Sequence, residues 1–335
     1  MSRPLRVAVV GVGHLGSIHA RIYAAHPGAE LAYVVDTHRD RAEAIASEHG
    51  ARALSDVREL PEDVDAASIV VPTVFHAEAA IPLLERGVPC LVEKPLAVDL
   101  ATADRILEAA QRGGARLAVG HVERFQPGVR KLDELGLEPR FLECHRLTRF
   151  PFREMDVGVV HDLMIHDLDL VLHFVDSELE SVDAAGGRIL TESEDMASVR
   201  LVFANGARAN VTASRVSLTP MRRLRMFASS GYVSLDFAEG SGIFVRKGEG
   251  WEAGLRELKT GDPAQLAKQP DFVTNQMLDL VQLELQGEER PLQAELDAFL
   301  RVAREGTEPL VTGEQGRRAL AVAERIRTST QQQGW

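Results

Sequence analysis

The sequence predicts an α/β protein in two parts: a parallel sheet covered by helices on both faces, then an α+β part with an open, mostly antiparallel sheet. Three observations predict it. Residues 1–120 alternate short β-branched runs with helix-like stretches, and a glycine-rich turn joins the first run to the first helix. Beyond about residue 120, strands follow one another without helices between them. The 335 residues are 45% hydrophobic and 26% charged, a globular composition with length for about two domains. We place the first domain at 1–120 and the second at 121–330, with the last helices able to pack back on the first.

In the first domain, Val7–Val10, Leu31–Val35, Ala67–Val71, Cys90–Val92 and Leu117–Val119 are compact and apolar, as strands buried on both faces are. Between them, Ile18–Ala25, Arg39–His49, Ala77–Arg86 and Leu100–Arg112 carry helical spacing. Such alternation implies βαβ units. In the second domain, Arg140–Phe150 reads as a strand and Val157–Val175 as a helix. Met196–Ala204, Ala207–Arg215, Arg223–Ala228, Tyr232–Phe237 and Gly242–Arg246 read as successive strands. Asn205-Gly206 marks a hairpin turn because both residues tolerate positive φ. Asp271–Gln286, Gln293–Arg304 and Glu314–Thr330 read as closing helices.

Lys and Arg number 38 against 50 Asp and Glu, a formal charge of −12. Such a field repels phosphate backbones and anionic lipid, so we expect neither nucleic acid nor a membrane as partner. No run of 18 apolar residues occurs, and the apolar start at Val7–Val12 is broken by Gly11 and Gly13, unlike a leader. Two cysteines, Cys90 and Cys144, fit a reducing, cytoplasmic setting.

Gly11-Val12-Gly13-His14-Leu15-Gly16 follows the first strand and opens the first helix. Gly11 permits the tight turn, Gly13 lets a pyrophosphate approach the backbone, and Gly16 allows close packing of helix on strand. The helix N-terminus then presents its N–H groups to phosphate. Asp36 ends the second strand 20 residues beyond Gly16, where a carboxylate can hold both hydroxyls of an adenosine ribose. This is a Rossmann-type, dinucleotide-binding arrangement. A carboxylate there repels a 2′-phosphate and favours NAD, although His38 and Arg39 nearby leave NADP open.

Hydride transfer to a nicotinamide needs a base for the substrate hydroxyl and a cation for the developing carbonyl. Lys94, in Glu93-Lys94-Pro95, lies at the carboxyl edge of its strand, where ligands bind in open α/β sheets. A surface lysine before a turn explains the same residue. Asp162, His166, Asp169 and His173 fall at i, i+4, i+7 and i+11, and Met164, Leu168, Val171 and Val175 lie opposite. A carboxylate one turn from a histidine orients the ring and raises its basicity; a solvated helix face has the same pattern. His161 and His166 are five apart, unlike a zinc-binding i, i+4 pair, so no metal is expected. Cys90 reads as core.

In order and spacing these pieces resemble the Gfo/Idh/MocA family of sugar and polyol oxidoreductases. The match comprises Gly11–Gly16 with Asp36, Val71-Pro72-Thr73 with His76, Glu93-Lys94-Pro95, Gly120 through Arg124-Phe125, Asp162 with His166, and Gly313 through Leu320. The resemblance implies NAD held by Gly11, Gly13, His14, Leu15, Gly16, Asp36, Pro72, Thr73, His76, Glu93 and Lys94. It implies Lys94, Asp162 and His166 as catalytic residues, with His166 the general base, Asp162 its partner and Lys94 on the reacting oxygen. It also implies a homodimer or homotetramer paired through the outer face of the second sheet.

Cys144–Leu147, Val160–Asp167, Ser214–Ser217 and Met221–Arg225 are similar to the subgroup that oxidises the 3-hydroxyl of UDP-N-acetylglucosamine, whose product goes to an aminotransferase. A diphosphate would need local cations in this acidic chain. Arg124, Arg146, Arg149, Arg215 and Arg223 are the substrate-binding candidates, with Arg153, Arg222 and Arg225 nearby. Strand alternation would equally put Arg223 and Arg225 in solvent. Two other readings stand beside this one: a dehydrogenase of a free sugar or inositol, and a nucleotide-binding sensor or scaffold without catalysis.

Overall fold

A computed structural model describes residues 3–150, 157–261, 271–285, 287 and 290–332. The chain forms two compact units, Met1–Phe125 with Glu289–Glu324, and Gln126–Glu288 with Arg325–Trp335.

The first unit holds a six-stranded parallel sheet of β1 (Leu5–Val10), β2 (Ala29–Val35), β3 (Arg52–Leu54), β4 (Ala66–Ile69), β5 (Cys90–Glu93) and β6 (Leu117–Gly120), ordered β3-β2-β1-β4-β5-β6. The order reverses between β1 and β4, which opens a crevice at the carboxyl ends of those strands. Helices α1 (His14–Ala25), α2 (Arg39–His49), α3 (His76–Glu85) and α4 (Leu100–Gly113) connect the strands. The central strands are buried on both faces because two cores flank the sheet. One packs Ile69, Val92 and Val119 with Leu83, Leu84 and Ile106; the other packs Val7, Val9 and Leu91 with Tyr23, Leu296 and Phe299. Leu296 and Phe299 belong to a helix at Pro291–Glu305, so the chain's end completes this unit.

The second unit holds α5 (Pro127–Leu135) and an eight-stranded sheet. Its strands are β7 (Pro139–Leu147), β8 (Leu179–Gly187), β9 (Met196–Phe203), β10 (Arg208–Ser214), β11 (Met221–Ala228), β12 (Gly231–Asp236), β13 (Ser241–Lys247) and β14 (Leu278–Glu284). The order is β14-β13-β12-β11-β7-β10-β9-β8, with β7 and β10 parallel and the other described pairs antiparallel. Alternation gives the sheet two faces. Leu142, Cys144, Val199, Leu201, Val211, Leu224, Met226 and Val233 are buried on one, together with Arg146. Glu143, His145, Thr212, Arg223 and Arg225 lie on the other.

The expected helix over Asp271–Gln286 is corrected. A π-helical turn at Val273–Met277 leads into β14, which pairs antiparallel with β13 from Lys247↔Leu278 to Ser241↔Glu284. Met, Leu, Gln and Glu favour helix locally, but β13 offers an open ladder edge, and Arg246 pairs with Asp279 across it at 2.7 Å. Tertiary pairing outweighs propensity here. The strands β3 and β8, and the helices α5 and Trp251–Thr260, are not apparent in the sequence reading. Among the described residues no helix is long and apolar enough to cross a membrane.

Candidate active site

In the first unit the turn after β1 is shaped by glycine. Gly11 has φ +87°, and a Cβ there would stand 2.7 Å from the Val71 nitrogen. A Cβ on Gly16 would stand 1.8 Å from the Gly11 carbonyl oxygen, so only glycine lets α1 press on the turn. Gly13 has open space where its Cβ would be. As the N-cap of α1 it brings no side chain to the first-turn N–H groups of a helix that His14 and Leu15 open toward solvent. These groups suit a pyrophosphate.

Asp36, nearly buried at the end of β2, accepts from the N–H groups of Val12 (3.0 Å) and His38 (2.8 Å) and lies 3.3 Å from Nη1 of Arg41. Burial works against its charge, but the two N–H groups and Arg41 outweigh burial and hold the carboxyl below its ordinary range. Arg41 and the His38 ring, with Nδ1 3.4 Å from Asp36 Oδ1, stand beside the carboxylate; Arg39 turns to Glu43 at 2.7 Å. A buried carboxylate at the end of β2, a glycine turn and an uncapped helix end together fit an adenine dinucleotide.

Pro72 and Thr73 follow β4 in a short 3₁₀ turn whose Val74 and Phe75 are exposed. His76 is buried, with Nε2 3.0 Å from the Val71 carbonyl and Nδ1 3.3 Å from the Leu96 carbonyl. It ties the loop after β4 to the loop after β5, and burial lowers its basicity. Lys94, half-buried, stands at the carboxyl end of β5, and its bond to Pro95 is cis. Glu93 is buried, with the N–H of Lys94 3.3 Å from its Oε2 and Nε2 of His19 3.3 Å from its Oε1. Gly120 makes room for that carboxylate, since a Cβ would come within 2.8 Å of it. Arg124 is buried in this unit. The sequence reading passes over His19; its only signal is a histidine on the sheet-facing side of α1, beside Ala20 and Tyr23.

In the second unit, Asp162 and His166 lie on one continuous helical segment, a π-helical turn at Val160–Met164 followed by α6 (Ile165–Val175). Met164, Leu168, Val171 and Val175 are buried, while His161, Asp162 and His166 stay half-buried. The polar stripe is not solvated throughout: Asp169 is buried and His173 pairs with Asp133 at 2.6 Å. Arg146 reaches from β7 to Asp167 in a two-pronged contact, 2.8 Å on each side. Arg215 is buried against Asp195 at 2.7 Å. Arg223 is exposed on the outer sheet face with Asp236 at 2.6 Å, and Arg149 is exposed with its Nε 3.3 Å from the Leu218 carbonyl. Arg153 lies outside the described residues. Cys90 and Cys144 are fully buried, which pushes both thiols up and away from nucleophilic use.

Against known proteins, the model of the oxidoreductase family with an NAD-binding Rossmann fold matches residues 5–121. That of the GFO/IDH/MocA C-terminal domain matches residues 138–234. The chain is similar to UDP-N-acetylglucosamine 3-dehydrogenase of Acidithiobacillus ferrooxidans, 36% identical over 98% of this chain and 97% of that protein. A solved structure of that enzyme covers 99% of both chains at 34% identity with a TM-score of 0.85. The chain is also similar to scyllo-inositol 2-dehydrogenase (NAD(+)) of Bacillus subtilis, 34% identical over 65% of this chain and 69% of that protein.

Proposed function

The chain belongs to the Gfo/Idh/MocA oxidoreductase family, and from that premise we propose that it oxidises the 3-hydroxyl of UDP-N-acetylglucosamine to the 3-keto sugar. The observation that carries this reading is the end-to-end similarity to an enzyme of that name, over 98% of this chain. NAD, when bound at the Gly11–Gly16 turn and Asp36, supplies the hydride acceptor. His166 takes the hydroxyl proton, Asp162 orients its ring, and the Lys94 ammonium hydrogen-bonds the oxygen as it becomes a carbonyl. Pro72, Thr73 and Glu93 shape the nicotinamide side. Arg124 and Arg149 are the cations we assign to the substrate side.

The 3-keto product suits an aminotransferase as next enzyme, in diamino-sugar synthesis of the lipid A type. On the outer face of the eight-stranded sheet, Phe227 packs at a tilt against Phe141 (5.7 Å between centroids) and Tyr232 (4.6 Å). That aromatic row supports pairing of copies as a homodimer or homotetramer.

A panel tests the substrate: NAD with UDP-N-acetylglucosamine, other nucleotide sugars, free N-acetylglucosamine, myo-inositol and scyllo-inositol, with the aminotransferase removing product. We expect NADH with UDP-N-acetylglucosamine first. Turnover confined to the inositols would support the second reading, which the similarity to scyllo-inositol 2-dehydrogenase favours. Absence of turnover with every nucleotide sugar sinks the first.

Cofactor choice is a separate prediction. Asp36→Ser removes the ribose acceptor and releases Arg41, now 3.3 Å from the carboxylate. Hydrogen bonds to charged groups contribute roughly 1.5–3 kcal/mol, so KM for NAD should rise about tenfold or more. KM for NADP should fall, because Arg41 is then available to the 2′-phosphate. Unchanged KM values for both cofactors would show that Asp36 does not meet the ribose.

A further inference from the structure

The segment that leads into the helix of Asp162 and His166 is gripped by a buried polar node that the catalytic assignment does not use. Arg215, just past β10 and only 1% exposed, donates from Nε to Asp195 (2.7 Å) and from Nη1 to the Val157 carbonyl (2.7 Å). Its Nη2 donates to Thr191 Oγ1 (2.7 Å) and Ser193 Oγ (2.8 Å). Asp195, fully buried, accepts on Oδ2 from the N–H groups of Ile189 (2.8 Å), Leu190 (2.5 Å) and Thr191 (2.9 Å). Next to it, the Glu194 carbonyl accepts from the Val159 N–H (3.0 Å), and Glu194 Oε1 accepts from the Val160 N–H (3.3 Å). Gly158 has no side chain, and a Cβ there would fall 1.9 Å from the Glu194 carboxylate. Val157, Val159 and Val160 are thus held by one loop and one guanidinium.

What they hold is unusual backbone. Over Val160–Met164 the helix is widened, with the Ile165 N–H bonded to the Val160 carbonyl five residues back. Such turns are rare and persist where surrounding contacts over-determine them. A buried ion pair adds little net stability over a well-packed apolar pair of the same volume. Two buried pairs at one turn, Arg215–Asp195 before it and Arg146–Asp167 just after it, therefore point to geometry rather than to bulk stability. An arginine whose Nε, Nη1 and Nη2 all meet protein acceptors, one of them a buried carboxylate, is also poorly placed to serve a diphosphate.

We propose that Arg215, acting through Asp195, Glu194 and the Val157 carbonyl, is a positioning residue that keeps the π-helical turn in the register where Asp162 and His166 share one face, with Arg146 locking the far side through Asp167. The inference rests on the reading of His166 and Asp162 as the proton-transfer pair. It assigns Arg146 and Arg215 to the helix, and leaves the substrate phosphates to other cations.

The test uses the full chain with Arg215→Lys and Glu194→Met, the second a change of similar length that removes the side-chain acceptor of the Val160 N–H and keeps the protein foldable if the first does not. In steady state with the nucleotide sugar, kcat should fall about 10- to 100-fold in each variant while KM for the sugar stays within about twofold, the signature of an interaction realised in the transition state. Amide hydrogen exchange across residues 157–165 should accelerate in both, with that of the Gly11–Gly16 turn unchanged. A tenfold rise in KM with kcat preserved would make Arg215 a phosphate ligand and overturn the proposal, as would wild-type kinetics in Glu194→Met. If the unmodified chain turns over no sugar at all, the functional reading fails, and the exchange measurement still decides whether the node holds the turn.

Discussion

Replacing His166 with Asn should lower kcat by roughly 10²–10⁴-fold, the contribution of a positioned general base. Asn keeps a polar side chain of similar reach and leaves the buried row of Met164, Leu168, Val171 and Val175 untouched, so the fold should survive. Since the ring acts on the proton only as the hydroxyl reacts, kcat and kcat/KM should fall together, and NADH binding measured by fluorescence should not change. Asp162→Asn should produce a smaller loss in the same direction, because the ring is then less well oriented. Retained turnover in His166→Asn would move the base to another residue.

Lys94→Met should lower kcat by about 10²–10³-fold, the usual cost of deleting one donor aimed at developing negative charge. Lys94 stands at the carboxyl end of β5, an edge set by pairing with β4 and β6, so Met, of similar length and apolar stem, should sit in the same place. NADH should still bind, since Gly11, Gly13, Gly16 and Asp36 are untouched. Stopped-flow measurement of the first turnover separates this from slow product release: the burst itself should slow. Full activity in Lys94→Met would refute the assignment.

The parallel half is legible because its strands are short apolar runs buried on both faces, and because Gly11 and Gly16 stand where no Cβ can. The second half is less so. Leu179–Gly187, with Ser, Asp, two alanines and two glycines, has no clear alternation, and only its pairing with β9 makes it a strand. Leu278–Glu284 is helix-prone in isolation and a strand only because β13 lies open beside it.

The charged residues were hardest to read. Sequence logic sends Arg and Asp to solvent or to a ligand, yet Arg146, Asp167, Asp195 and Arg215 are buried against one another. Nothing local announces that three backbone N–H groups converge on the Asp195 carboxylate. Nor does any local signal mark the π-helical turn, which distant contacts define. Asp162 and His166 are visible as an i, i+4 pair; the register that relates them is a property of the folded chain.

The central claim is that a hydride leaves C3 of the sugar for NAD while the hydroxyl proton goes to His166. UDP-N-acetylglucosamine deuterated at C3 tests it directly, with the reduced cofactor isolated and analysed by mass spectrometry. The account predicts deuterium in the NADH, slower turnover than with the protium substrate, and a 3-keto product. NADH formed without the label, or no NADH formed at all, would contradict it.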